Sequence, residues 1–229
     1  MHYLPRIVDK ELATRLASTG AVVIEGPKAC GKTESARQIA ASEVLLDIDA
    51  NARQAVAIDP KLVLDGEVPR LIDEWQLEPD IWNHIRRIVD DRGLPGQFVL
   101  TGSAVPADDI TRHTGAGRLT RLRLRPMTLF ETGHANGVAS ISGFLSGTFQ
   151  NCPDPGLDVV DIAECVTTGG WPAHQRLTTE QSILAVRTYL DEIVRADISR
   201  VNKRRRDPAK VMRVVRSLAR NIATPVALR

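Results

Sequence analysis

The chain has 229 residues, 43% of them hydrophobic and 25% charged, with a formal net charge of +2 and only 4% aromatics, so it suits one large domain, or one domain and a smaller piece, around a mainly aliphatic core. No stretch approaches the ~20 apolar residues that span a bilayer, and the first residues lack the apolar run of a secretion signal. Cys30, Cys152 and Cys165 are odd in number and have no metal-ligand spacing, so a disulfide scaffold is excluded and a cytoplasmic protein with no membrane partner is expected.

Residues 3–7 read as extended and contain Pro5; Asp9 then caps a helix to about residue 17, with Leu12 and Leu16 on one face. Thr19-Gly20 stops it. AVVI at 21–24 is a short buried strand, and residues 34–41 read as a helix. Between them lies GPKACGKT, 26–33, which matches the phosphate-loop pattern in full. Nucleotide phosphates carry dense negative charge, and glycines let backbone N–H groups approach them closely. The following helix aims its positive dipole end at the same point. Gly26, Pro27, Lys28, Ala29, Cys30, Gly31, Lys32, Thr33 and Glu34 are therefore the nucleotide-binding candidates. Lys32 supplies charge for the outer phosphates and Thr33 a hydroxyl for Mg²⁺. The bland alternative is a glycine-rich turn with an exposed lysine, and the flanking strand and helix argue against it. Cys30 is read as packing rather than as a redox switch.

VLLDI at 44–48 reads as a second buried strand, ending in Asp47 and Asp49, which either cap the next turn or line a cleft. Residues 50–58 read as a short helix before Pro60. PRLIDEWQ, 69–76, places Leu71 and Ile72 in a strand that ends in adjacent acids. About forty residues after a phosphate loop, such a pair suits Asp73 to the metal and Glu74 to the attacking water. The alternative is a capping pair for a helix starting near Glu78-Pro79. Trp75 and Trp82 read as core. Ile81, Ile85, Ile88 and Val89 give a helical stripe to about Asp91. QFVL, 97–100, is a further buried strand with Thr101 at its tip, either a γ-phosphate sensor or a plain turn residue.

Residues 112–125 are rich in arginine, and 118–124 alternate as an outward-charged strand. One arginine here could reach a neighbouring subunit's γ-phosphate in a homo-oligomer; Arg118 is the first candidate and Arg112 the second. For any single arginine a solvated face is the simpler reading. Residues 133–155 read as loop, and helical patterns at 157–166 and 180–198 as a small lid. The expected division is a nucleotide core at 1–137, a linker and lid at 138–200, and a basic helical start of an incomplete domain at 201–229. Residues 195–229 hold eleven Lys or Arg against two Asp or Glu, so that segment carries +9 and the remainder −7. Such a segment could draw DNA or RNA by charge, although no aromatic residue lies in it to stack on bases.

YLPR at 3–6, GPKACGKT, LIDEWQ, LTGSA at 100–104, AGR at 116–118, LRPMTLFE at 124–131 and GGWP at 169–172 together resemble the prokaryotic AAA-type ATP-binding proteins. YLDEIVRADISR, 189–200, is similar to the junction into that family's C-terminal domain of unknown function. The resemblance implies a three-layer α/β P-loop NTPase fold of the AAA+ kind, with a mainly parallel sheet in the order 5-1-4-3-2 and a small helical lid. It further implies binding of ATP or ADP with Mg²⁺, slow hydrolysis, and a longer parent protein of roughly twice this size. An ATPase is the leading expectation; a nucleotide-dependent switch with negligible turnover is second. A phosphotransferase is weaker, since an adjacent Asp-Glu pair suits water activation.

Overall fold

The computed structural model describes residues 3–102, 115–148, 151–154, 156–197, 207–222 and 224. Arg112 and the basic run 203–206 lie outside the described residues. Five strands form one parallel sheet: β1 (Ala21–Glu25), β2 (Ser42–Leu45), β3 (Arg70–Asp73), β4 (Phe98–Gly102) and β5 (Leu119–Arg123), in the spatial order β2-β3-β4-β1-β5. Counted from the other edge this is the 5-1-4-3-2 order that the resemblance implies.

Both faces of the sheet are covered, which is why its central strands read as continuous apolar runs. Side chains alternate across it. Val23, Ile72, Phe98 and Leu100 pack with Trp75, Trp82 and Ile85 on one face. Here lie α3 (Ala50–Ile58), α4 (Lys61–Leu64) and α5 (Ile81–Arg92). Val22, Ile24, Val99 and Leu122 pack with Leu12, Leu16 and Ala36 on the other, against α1 (Val8–Leu16) and α2 (Lys32–Arg37). The three-layer α/β expectation holds.

Several boundaries differ for local reasons. α1 begins at Val8, so Asp9 sits inside its first turn and is not the cap; its carboxylate accepts the Arg6 N–H at 2.7 Å and the Tyr3 hydroxyl at 2.7 Å. β2 ends at Leu45 because the chain then turns, and Asp49 caps α3 by accepting from the Ala52 N–H. The capping reading of Asp49 is therefore the structural outcome. α5 starts at Ile81, after a 3₁₀ turn at Trp75–Leu77.

The chain divides into two compact units, Met1–Leu177 and Thr178–Arg229. The expected breaks after 137 and after 200 do not coincide with that division. α6 (Ile141–Leu145) and α7 (Val159–Thr168) belong to the first unit. In the second, α8 (Thr179–Glu192) opens on a capping box of Thr178 with Gln181 and runs into a π-helical turn at Ile193–Asp197. α9 (Pro208–Arg220) is capped by Asp207 and leaves Val214 and Leu218 exposed. Among the described residues no helix is long and apolar enough to cross a membrane.

A buried ion pair fastens the N-terminal segment to the chain beyond β5. Arg6 and Glu131 meet at 3.0 Å with side chains only 3% and 5% exposed. Burial alone would push the Glu131 carboxyl up, but N–H groups of Thr128 and Ile7 and the Arg6 guanidinium outweigh it and hold the group below the ordinary carboxylate value. A depressed folded-state value stabilises the fold above the unfolded value, about 4.3, and that contribution disappears as pH falls through the lower folded one. Urea-unfolding midpoints should therefore drop as pH is taken from about 5 to about 3, and Glu131→Gln should flatten that slope; an unchanged slope would contradict the assignment. On the opposite face, Trp75 is 2% exposed and its ring lies 5.1 Å from that of Trp82. Trp75→Ala should cost about 3–5 kcal/mol in urea unfolding, and a loss below about 1 kcal/mol would show that this layer can collapse around the gap.

Candidate functional site

In a parallel sheet all strands end on the same side, so β1, β3 and β4, adjacent in the sheet, deliver their C-terminal residues to one place. β1 leads from Glu25 into the phosphate loop. Gly26 is required there because a Cβ would sit 2.2 Å from the Leu124 carbonyl oxygen. Ala29 takes a left-handed conformation, φ 59°, and Gly31, φ 100°, turns the chain into α2. Cys30 is fully buried, its Sγ 3.8 Å from the Leu124 oxygen. Burial pushes its thiol up in spite of the nearby Lys32 and Arg6 charges, which fits the packing role.

Lys32 folds back over the loop. Its ammonium donates to the carbonyls of Gly26 at 3.1 Å and Pro27 at 2.8 Å. One residue on, the Thr33 hydroxyl donates to Asp73 Oδ1 at 2.9 Å. The Thr101 hydroxyl, from the tip of β4, donates to the same oxygen. Asp73 is 7% exposed and Thr101 1%. Two hydroxyls far apart in sequence thus converge on one Asp73 carboxylate oxygen.

Glu74 follows Asp73 off the end of β3 in a left-handed conformation, φ 53°. Among the described residues, Ala29 and Glu74 are the two non-glycine positions with positive φ, and both lie at this site. Backbone of that kind costs energy and persists where the surroundings impose it. The Glu74 carboxylate accepts from the side-chain amide of Gln76. Gln76 in turn packs against Gly102, where a Cβ would fall 2.3 Å from its Oε1.

Lys32, Thr33, Asp73, Glu74 and Thr101 are therefore brought together, and Arg118 is not. It precedes β5, whose first residue pairs with Ala21 at the start of β1. The length of a five-residue strand, about 16 Å, separates that level from the loop. The Arg118 guanidinium donates to Asp90 at 2.6 Å, which holds its charge state up, and its carbonyl accepts the Ala21 N–H. Within its own chain Arg118 does not reach the phosphate side; the alternating pattern locates the strand but not which end of it a residue occupies.

Sequence reasoning assigns no role to Tyr3, Arg6, Glu131 or Pro172, although the motifs containing them stand out. All four gather around the loop. The Tyr3 hydroxyl lies 3.0 Å from the Ser35 Oγ on α2, and burial raises its pKa above the ordinary phenol value. Pro172 follows Gly170, whose carbonyl accepts the Met127 N–H at 2.6 Å and whose own Cβ would strike the Met127 backbone. Tyr3, Leu4, Gly31, Glu34, Ser35 and Pro172 line a small, mainly apolar cavity of about 60 Å³ on the flank of the loop.

No group of three or more His, Cys, Asp or Glu side chains among the described residues could hold a metal unaided. Thr33 and Asp73 together offer a hydroxyl and a carboxylate, the oxygen donors that suit Mg²⁺ when phosphates and water complete its octahedron.

Comparison with known proteins agrees with this arrangement. Residues 18–133 match a family profile described as an AAA domain, and residues 160–229 match one described as a domain of unknown function. An uncharacterized protein of Mycobacterium bovis and another of Mycobacterium tuberculosis are each 31% identical over 116 residues, 49% of this chain. That stretch spans only 26% of each relative's length. The AAA profile covers just over half of the chain, and with the loop, the sheet order and the trailing domain in place the chain belongs to the AAA-domain family, with an ATPase-like P-loop core followed by a domain of unknown function.

Proposed function

We propose that this protein binds ATP with Mg²⁺ and hydrolyses it. The observation that carries the reading is the convergence of the Thr33 and Thr101 hydroxyls on Asp73 at the end of the phosphate loop. In the proposed complex the loop amides and Lys32 hold the phosphates. Thr33 and Asp73 hold Mg²⁺, which when bound neutralises charge building on the phosphoryl oxygens. Thr101, anchored on Asp73, senses the terminal phosphate. Glu74 orients the attacking water and accepts its proton. Most of the catalysis is then positioning and charge compensation, as phosphoryl transfer requires.

One observation favours the second reading, a switch with negligible turnover. Gln76 already occupies the Glu74 carboxylate, so water activation needs that bond to be released. In this reading nucleotide is bound and held, and an arginine from a neighbouring subunit, Arg118 being the candidate, is what permits turnover.

Lys32→Ala should weaken ATP binding by about 100-fold, the effect of removing a charge-assisted contact worth about 3 kcal/mol. Unaltered affinity in a calorimetric titration would refute the phosphate-loop assignment. Glu74→Gln should leave ATP affinity within about threefold and lower kcat by about 100-fold or more. Wild-type turnover in that variant would remove Glu74 from the chemistry, while a wild-type protein that binds ATP yet shows no phosphate release would favour the switch.

A further inference from the structure

The proposed chemistry assigns no role to Arg6 of YLPR or Glu131 of LRPMTLFE. The structure gathers these two motifs on the outer side of the phosphate loop, around Arg6. This side chain is 3% exposed, and its three nitrogens find three acceptors, one on the phosphate loop and two in LRPMTLFE. Nε donates to Glu131 at 3.0 Å, Nη1 to the Cys30 carbonyl at 2.8 Å and Nη2 to the Arg125 carbonyl at 2.7 Å. Glu131 is itself tied down by the N–H groups of Ile7 and Thr128, at 2.7 and 2.8 Å. The guanidinium cannot swing away without breaking that set.

We propose that Arg6 is a positioning residue for nucleotide binding: by holding the Cys30 carbonyl on the outer side of the loop, it aims the Gly31 N–H inward at the bound phosphates. The inference rests on the nucleotide-binding reading above. A trans peptide is planar, so its C=O and N–H point in opposite directions. Fixing the oxygen of Cys30 therefore fixes the donor of Gly31. External restraint bears on this peptide because Ala29, next to Cys30, is left-handed, a conformation that costs a non-glycine residue energy and persists where its surroundings impose it. The guanidinium is close enough to matter, since a Cβ on Gly31 would lie 3.4 Å from Arg6 Nη1. The planar fork spreads its donors to acceptors on different sides, whereas a lysine ammonium offers its three donors from a single point.

The test compares ADP with AMP, which lacks the outer phosphate, in calorimetric titrations of the full chain. Urea unfolding is followed in parallel. In Arg6→Gln and in Arg6→Lys the ADP affinity should fall about tenfold, the worth of about one charged hydrogen bond, while AMP affinity moves by less than about threefold. A merely structural role would lower the urea midpoint and leave the ratio of ADP to AMP affinity at the wild-type value, and that result overturns the proposal. Arg6→Lys keeps the charge beside Glu131, so it supplies the same comparison should Arg6→Gln fail to fold. A wild-type protein that takes up no ADP would defeat the nucleotide-binding reading itself. ADP uptake by the wild type with an unmoved ratio in the variants defeats only the role of Arg6.

Discussion

Every strand of this sheet runs the same way, and that constraint decides what the protein can assemble. Parallel pairing sends all carboxyl ends to one side, so whatever chemistry the strands carry must meet there or not at all. The order β3-β4-β1 makes neighbours of the acid-bearing strand, the Thr101 strand and the strand that feeds the loop. Asp73 then receives two hydroxyls because register leaves Asp73 opposite Thr101 and Ile24 opposite Thr101 in turn. The same geometry leaves Arg118 on the far side with Asp90 for company.

The site also concentrates the conformations that an ordinary chain avoids. Left-handed backbone at Ala29 and Glu74 is held by contacts around it: Gly26 pressed onto Leu124, Gln76 wedged against Gly102, and Arg6 gripping the loop from outside. Sheet layers packed on both faces provide the rigid base for this. Strain at these points and density beneath them belong to one arrangement.

Much of this is legible in the residues. The loop pattern is contiguous and sits between a strand and a helix, and LIDE is a strand whose acids fall at its end. Both signals are local, so they survive without a fold. Sheet order is available only through family resemblance, because no short pattern encodes which strands become neighbours. Arg6 and Glu131 are beyond reach for a related reason: they are separated by 125 positions and share no period or spacing. The position of Arg118 within its strand is hidden for another reason. Its alternating neighbours mark a strand correctly, yet whether an arginine stands at the entrance or the exit of that strand depends on pairing with Ala21. The break expected after 137 rests on glycine, serine and proline content, a local signal, and the division at 177 rests on packing, which no local signal carries.

The long reach of the Arg6–Glu131 pair bears on how the protein matures. The glycine-rich motif is complete at Thr33, but the carboxylate that anchors its outer support comes 98 residues later. A nascent chain emerging in order therefore carries its recognition motif long before it carries the brace. Contacts so distant in sequence close late and slowly. If Arg6 has the role proposed for it, the phosphate loop is fully braced only when the polypeptide has extended past β5 and folded back onto the Arg6 segment.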